Sequence, residues 1–149
     1  MMKKLLFTAL LAVPLTLLVQ TAAQAQIQKK TAAKATAQRD QLLEGKKVYS
    51  KFCASCHQLD GGGVPNLNPP LSKTIYVLGD KSRLIKIILN GSNESLEIDG
   101  ETYSNPMPQL DILKDEEIAD VLTYVRNSFG NKAGAITASE VKAQRTKKK

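Results

Sequence analysis

Cys53-Ala54-Ser55-Cys56-His57 is the stretch on which the organisation of this 149-residue chain depends. Its two thiols lie three residues apart on one helical turn, and the next residue supplies an imidazole. This C-x-x-C-H pattern is the attachment signature of a c-type haem, because each thiol can add to a haem vinyl group while the histidine ligates the iron. The motif therefore predicts a covalently held haem with one axial ligand.

A C-x-x-C pair also occurs in structural disulfides, zinc sites and thioredoxin-like redox centres. Structural zinc takes four ligands, but the chain has only two cysteines and one histidine. A thioredoxin-like pair lies between a strand and a helix, whereas the residues before Cys53 have helical periodicity. Zinc and thioredoxin-like chemistry are therefore disfavoured, and a structural disulfide stays open.

Apolar residues at helical spacing lead into the motif from an N-cap at Asp40. The apolar positions of this first helix are Leu42, Leu43, Val48, Tyr49 and Phe52. Gly45 inside the helix costs about 1 kcal/mol relative to alanine. A close crossing by another helix over the bare backbone of Gly45 would compensate for that cost.

A second core helix is predicted near the end of the chain, with acidic residues at positions 115–117, Arg126 near its C-terminal end and Gly130 as its stop. Its apolar positions recur at i, i+3, i+4 and i+7, as Ile118, Val121, Leu122 and Val125. Both apolar stripes are interpreted as core packing that closes the haem pocket.

A proline-rich loop and a third helix lie between these two helices. The loop contains Gly61-Gly62-Gly63, Pro65, Pro69 and Pro70, and it could offer a backbone carbonyl to the second ring nitrogen of His57. The third helix is predicted from about Lys81 to Asn90, ending at Gly91. Its buried side would be Leu84, Ile85, Ile88 and Leu89.

Met107 lies between two prolines in Tyr103-Ser104-Asn105-Pro106-Met107-Pro108. Prolines on both flanks stiffen this loop and disfavour helix. A lone methionine is more often a core residue than a metal ligand. Outside the first two residues, however, no other methionine remains for the second face of a haem. We therefore predict Met107 as the second axial ligand.

The first 25 residues are typical of a secretory leader. A basic start precedes an apolar stretch from Leu5 to Val19, and Ala23-Gln24-Ala25 fits an A-x-A cleavage site. The apolar run is about 15 residues, whereas a membrane span needs about 20, so cleavage near Ala25 is expected and an uncleaved anchor is the alternative. No cysteine follows to support a lipoprotein.

The net charge of +7 comes from the two ends of the chain. Residues 40–130 carry 9 basic and 13 acidic side chains, which argues against a nucleic-acid-binding face. Residues 26–39 are basic and nearly free of large apolar side chains, and are expected to be a flexible linker. The basic ends are interpreted as solvated tails, with an acidic partner or a membrane surface as the alternative contact.

The haem domain is expected at residues 40–130, followed by a basic extension at 131–149. Within the extension, Thr137-Ala138-Ser139-Glu140 is a capping box, with Ile136 and Val141 placed as its hydrophobic staple. These signals predict a short helix at about residues 138–145, with only residues 147–149 loose.

From residue 41 to 145 the chain resembles a bacterial monohaem class I cytochrome c. The similarity follows the order Gly45, Tyr49, Cys53 to His57, Pro69-Pro70-Leu71, Met107-Pro108, Glu117-Ile118-Ala119 and Tyr124-Val125-Arg126. It implies an all-α class I cytochrome c fold, with three to five helices around one haem and crossing N- and C-terminal core helices. One departure is Lys114, where this family often has Ser or Thr, so the last long helix is expected to start at Asp115.

The resemblance implies that Cys53 and Cys56 hold one haem c and that His57 and Met107 ligate its iron. A carbonyl of the proline loop, at Pro69 or alternatively Pro65, would orient His57. The expected pocket residues are Pro69, Leu71 and Tyr103. Residues 81–91 and 100–103 are also similar to haem domains that accompany exported quinoprotein dehydrogenases.

These features predict an exported, monomeric electron carrier rather than an enzyme, with redox proteins such as a dehydrogenase, a respiratory complex or an oxidase as partners. In bacteria the resemblance implies haem attachment outside the cytoplasm and therefore a periplasmic protein. Two alternatives stay open: a haem enzyme or gas-binding protein with an open distal site, and a dedicated haem subunit of a dehydrogenase complex.

Overall fold

The computed structural model describes residues 13–145 and contains six helices and a two-stranded antiparallel sheet. Most of the elements are helices, which confirms the predicted helical class. Two of the helices, α2 and α3, are only four residues long. In chain order the elements are α1 Val13–Phe52, α2 Ala54–His57, α3 Ile75–Leu78, α4 Lys81–Asn90, β1 Leu96–Ile98, β2 Glu101–Tyr103, α5 Asp115–Arg126 and α6 Ala138–Arg145.

The first helix is longer than the sequence predicts. Residues 26–39 are helical within α1, where an irregular linker was expected, and Asp40 is not a helix start. The described side chains at positions 26 and 28–39 are exposed. Alanine, glutamine and lysine are strong helix formers that need no buried face to be helical, which accounts for the difference. The flexibility of this segment stays a prediction.

Helices α1 and α5 cross at Gly45, as its place in the apolar stripe predicts. A Cβ atom at position 45 would lie 2.1 Å from the carbonyl oxygen of Asp120 and 2.7 Å from Cβ of Tyr124. The missing side chain thus lets the two backbones touch. Beside the crossing, the rings of Tyr49, Tyr124 and Phe129 pack against one another at centroid distances of 5.2 to 5.7 Å.

The third predicted helix and its buried face are confirmed by α4, whose bounds are Lys81–Asn90 and whose buried residues are Leu84, Ile85, Ile88 and Leu89. Asp80 caps α4 by accepting a hydrogen bond from the Arg83 amide at 2.6 Å. Helix α5 buries its predicted stripe but ends at Arg126 rather than at Gly130. Phe129 and Gly130 both have positive φ and form a turn beyond that end.

The segment after Gly91, for which the sequence predicts no regular element, contains the hairpin β1–β2. Leu96 pairs with Tyr103, and Ile98 pairs with Glu101. Asp99 and Gly100 have φ values of 54° and 82°, which suit a two-residue hairpin turn. The Asp99-Gly100 dipeptide is the sequence signal from which this turn could have been predicted. The polar residues around it hid the alternation that marks a strand.

The C-terminal extension packs against the core. Helix α6 occupies Ala138–Arg145. The Thr137 hydroxyl accepts from the Glu140 amide at 3.3 Å, and the Glu140 carboxylate accepts from the Thr137 amide at 2.7 Å. Ile136 and Val141 are completely buried. The Thr123 hydroxyl accepts from the Ile136 amide at 2.9 Å and donates to its carbonyl at 3.2 Å. These contacts fix residues 131–145 to α5.

The predicted leader falls partly outside the described residues, because positions 1–12 are not described and positions 13–25 belong to α1. The loose tail predicted at 147–149 also lies outside the described residues. Among residues 13–145, no helix combines the length and the apolar character that a membrane crossing requires. The residues from Asp40 onward form one compact unit.

Candidate functional site

A single large cleft brings together all the site residues predicted from the sequence. Its volume is about 1040 Å³, counting the space at its open mouth. Helices α4 and α5 and the hairpin supply aliphatic side chains to its wall. The predicted residues that line it are Cys53, Cys56, His57, Pro69, Leu71, Tyr103 and Met107.

The two cysteines are placed by the helical turn that joins α1 to α2. The Cys53 amide donates to the Tyr49 carbonyl at 2.9 Å, and the His57 amide donates to the Cys53 carbonyl at 2.9 Å. Cys53 and Cys56 are not bonded to each other, which speaks against the disulfide alternative. Cys53 is buried and Cys56 is exposed. Burial, followed by the neighbouring Cys56, raises the pKa of the Cys53 thiol to about 11.

His57 is fixed by the backbone of the proline loop. Its Nδ1 lies 3.0 Å from the carbonyl oxygen of Pro69. Because a carbonyl can only accept, Nδ1 carries the proton and Nε2 keeps the lone pair that a metal requires. Pro69 rather than Pro65 is therefore the orienting residue. Burial lowers the pKa of His57, and the hydrogen bond to Pro69 opposes that shift.

Glycines hold the proline loop close to the motif. The Gly63 amide donates to the His57 carbonyl at 3.1 Å, and the Leu71 amide donates to the Gly61 carbonyl at 2.8 Å. Gly63 has a φ of +69°, and a Cβ there would lie 2.3 Å from the Asn68 carbonyl oxygen. The sequence indicated only that these glycines break regular structure. The structure shows that they let the loop fold back under His57.

Met107 is attached to the end of α4 by a two-bond backbone bridge. The Ser92 amide donates to the Met107 carbonyl at 2.9 Å, and the Met107 amide donates to the Ser92 carbonyl at 2.8 Å. Gly91 has a φ of +71°, and a Cβ on it would lie 2.5 Å from the Met107 carbonyl oxygen. The glycine that ends α4 therefore also makes room for the methionine loop, a role that the sequence did not indicate.

Two asparagines that sequence reasoning missed also line the cleft. The side-chain amide of Asn105 donates to Oδ1 of Asn68 at 2.7 Å, and the Asn105 backbone amide donates to the Leu67 carbonyl at 3.2 Å. Asn68 is buried although it lies in a loop. Both residues stand next to prolines, and asparagine in such a place usually indicates a turn. No sequence signal distinguished this pair.

The donor atoms that line the cleft fit a c-type haem. Two thiols sit on one turn beside an oriented imidazole, and a thioether is presented from a second loop of the same cleft. The remaining wall is largely aliphatic, as the flat apolar faces of a porphyrin require. Among the described residues, no group of three or more His, Cys, Asp and Glu side chains could hold a bare metal ion.

The chain is similar to known proteins over the residues that build this cleft. The sequence model of the family described as Cytochrome c matches residues 42–129. Cytochrome c-552 of Thermus thermophilus is 36% identical over 114 residues, which cover 70% of this chain and 86% of that protein. The cytochrome c subunit of the gluconate 2-dehydrogenase of Pantoea cypripedii is 34% identical over 117 residues, which cover 76% of this chain and 26% of that subunit.

A further relative is the cytochrome c subunit of the quinone alcohol dehydrogenase of Gluconacetobacter polyoxogenes, which is 35% identical over 109 residues. These residues cover 66% of this chain and 22% of that subunit. The family match spans more than half of the chain and includes the paired cysteines, His57 and Met107. This chain therefore belongs to the cytochrome c family and contains a haem-binding electron-transfer domain.

Proposed function

We propose that this protein is an exported electron carrier with one haem c, bound covalently through Cys53 and Cys56 and ligated by His57 and Met107. The observation that carries the proposal is the cleft, which is lined by the C-x-x-C-H motif and by Met107 together. The export signal, the family match and the two-ligand arrangement all support a carrier that transforms no substrate.

The haem supplies one-electron Fe(II)/Fe(III) chemistry when it is bound. The protein's residues set the conditions for it. Pro69 holds His57 in the tautomer whose Nε2 can coordinate. Met107 offers a thioether, a weak donor that together with histidine raises the reduction potential. The aliphatic side chains of the cleft exclude water and disfavour the additional positive charge of the ferric state.

Export of the full-length chain in a host that attaches c-type haem tests the cofactor part of the proposal. Intact mass should increase by one haem, and denaturation in acid should leave the haem on the polypeptide. The Cys53→Ala/Cys56→Ala double variant should lose this covalent haem. A wild-type protein without covalent haem, or with more than one haem per chain, would contradict the proposal.

A dedicated role within a dehydrogenase complex is the second candidate. It is favoured by the relatives that are cytochrome c subunits of dehydrogenases, although the chain spans only about a quarter of their length. In this role the basic helical segment 26–39 and the tail 146–149 would dock to the partner. Their removal should then lower turnover with a quinoprotein dehydrogenase and flatten its salt dependence. Unchanged kinetics would favour the independent carrier.

A further inference from the structure

We propose that Asn68 and Asn105 form a latch that keeps the Met107 loop closed over the cleft, which makes them positioning residues for the Met107 thioether. The inference rests on the proposed ligation by Met107. It goes beyond that ligation because it concerns how the loop that carries Met107 is held, not which atoms ligate the iron. Instead, their contact joins the loop that orients His57 to the loop that carries Met107.

The geometry places the latch directly beside both proposed ligands. Asn68 immediately precedes Pro69, whose carbonyl accepts from His57 at 3.0 Å. Asn105 lies two residues before Met107 and reaches Asn68 Oδ1 at 2.7 Å. The backbone amide of Asn105 makes a second contact, at 3.2 Å, to the carbonyl of Leu67. The proline loop and the methionine loop are thus joined by two adjacent hydrogen bonds.

The methionine loop is held differently on its two sides. After Pro106, the Ser92–Met107 bridge fixes the backbone of Met107 to the end of α4. Before Pro106, the contacts of Asn105 fix the loop to residues 67 and 68. Pro106 and Pro108 stiffen the segment between them, so this segment would move as a unit. If the contacts of Asn105 break, the segment can pivot about the Ser92–Met107 bridge, and the Met107 side chain would move away from the cleft.

Burial gives the side-chain bond its importance. Asn68 is only 9% exposed while the contact is formed, so its Oδ1 is shielded from water and accepts its hydrogen bond from Asn105. A neutral hydrogen bond of this kind changes an equilibrium about two- to tenfold. The same factor should therefore appear in the opening of the methionine loop, because the contact exists only while the loop is closed.

Carbon monoxide provides the test, since it binds ferrous haem only after Met107 has left the iron. Asn105→Ala should increase the rate of carbon monoxide binding to the ferrous holoprotein about two- to tenfold. It should also weaken the methionine–iron charge-transfer band of the ferric protein on mild warming. Asn93→Ala removes an exposed asparagine from the neighbouring segment and should leave both readouts at the wild-type values.

A double-mutant cycle with Asn68→Ala separates positioning from general destabilisation. If the pair acts as a latch, the double variant should open no more than the more open single variant, and the effect should persist far below the unfolding temperature. The latch would be overturned if the wild type shows a normal charge-transfer band and Asn105→Ala binds carbon monoxide at the wild-type rate. A wild type that lacks the band and binds carbon monoxide at once would instead overturn the proposed function.

Discussion

At the scale of single residues, a missing side chain at Gly45 determines how closely α1 and α5 approach. The bare α-carbon lies where a Cβ would be only 2.1 Å from the Asp120 carbonyl oxygen. Glycine costs about 1 kcal/mol of helix stability at such a position. The close crossing offsets this cost, because it keeps Tyr49, and with it the turn that carries Cys53, packed against α5.

We expect Gly45→Ala to destabilise the holoprotein by about 2 kcal/mol or more, because overpacking of the crossing outweighs the gain in helix propensity. Urea unfolding followed by far-UV circular dichroism measures this. Gly134→Ala is the matched control, since a Cβ at position 134 would have no heavy atom within 4 Å. Equal stability of both variants would show that the two helices can separate at no cost.

The sequence predicted the ligand side of the site better than its support. Cys53, Cys56 and His57 are predicted from a contiguous motif, and Met107 by elimination, without knowledge of any tertiary contact; all four line the cleft. The Asn68–Asn105 bond joins residues that are 37 positions apart. Short polar side chains in loops carry no periodicity that could reveal such a contact.

At the scale of elements, the extension acts as an additional wall behind the core. Arg126, a residue of α5 that is only 4% exposed, holds the extension against the core. Its guanidinium donates to the Gly134 carbonyl at 2.9 Å and to the carbonyls of Val77 and Gly79. The donors of one side chain thus connect α5 to the extension and to α3.

Arg126→Met should lower the free energy of unfolding by about 2–4 kcal/mol, because buried carbonyls lose the charged donor that satisfies them. The methionine keeps most of the aliphatic volume, so packing changes little. Arg83→Met serves as the control: Arg83 is exposed where it donates to Ile75 at 3.0 Å, and its loss should cost less than about 1 kcal/mol. Similar losses in both variants would contradict the special role of Arg126.

The pair of Lys81 and Glu140 makes attachment of α6 dependent on pH. Burial alone would raise the pKa of Glu140, but hydrogen bonds from Lys81, at 2.9 Å, and from Thr137 lower it below the ordinary value of 4.5. A group with a lowered pKa in the folded state stabilises the protein above its unfolded pKa, and this contribution is lost as the pH falls through the folded value.

Glu140→Gln should therefore reduce stability at neutral pH by less than about 1 kcal/mol, because the Glu140 side chain is 38% exposed. The difference from wild type should diminish as the pH falls below the ordinary value of 4.5 and through the lowered pKa of folded Glu140. Thermal unfolding at a series of pH values provides the measurement. A difference that stays constant down to pH 3 would show that the Glu140 charge does not matter.

Among the elements, predictions succeeded where one face of a helix is buried. Helices α4 and α5 follow apolar stripes, and α6 follows a local capping box that needs no knowledge of the rest of the fold. Residues 26–39 are helical within α1 although no apolar stripe predicts a helix there, because alanine, glutamine and lysine have high helix propensity. The hairpin was missed because its strands are three residues long and partly polar.

At the scale of the whole molecule, the core and its ends differ in charge. Residues 40–130 have a net charge of −4, and the segments on either side are basic. Within the described lining of the cleft, Glu94 is the only Asp, Glu, Lys or Arg residue. In the proposed holoprotein, the pocket would therefore control the iron mainly through His57, Met107 and its apolar wall.

The central claim is that His57 and Met107, 50 residues apart in the chain, meet at one iron. The proton NMR spectrum of the ferrous holoprotein tests it most directly, because the methyl group of a methionine bound over a haem is shifted far upfield by the porphyrin ring current. We predict a three-proton resonance at strongly negative chemical shift in the wild type and its loss in Met107→Ala. A wild-type spectrum without this resonance, or its persistence in Met107→Ala, would contradict the account.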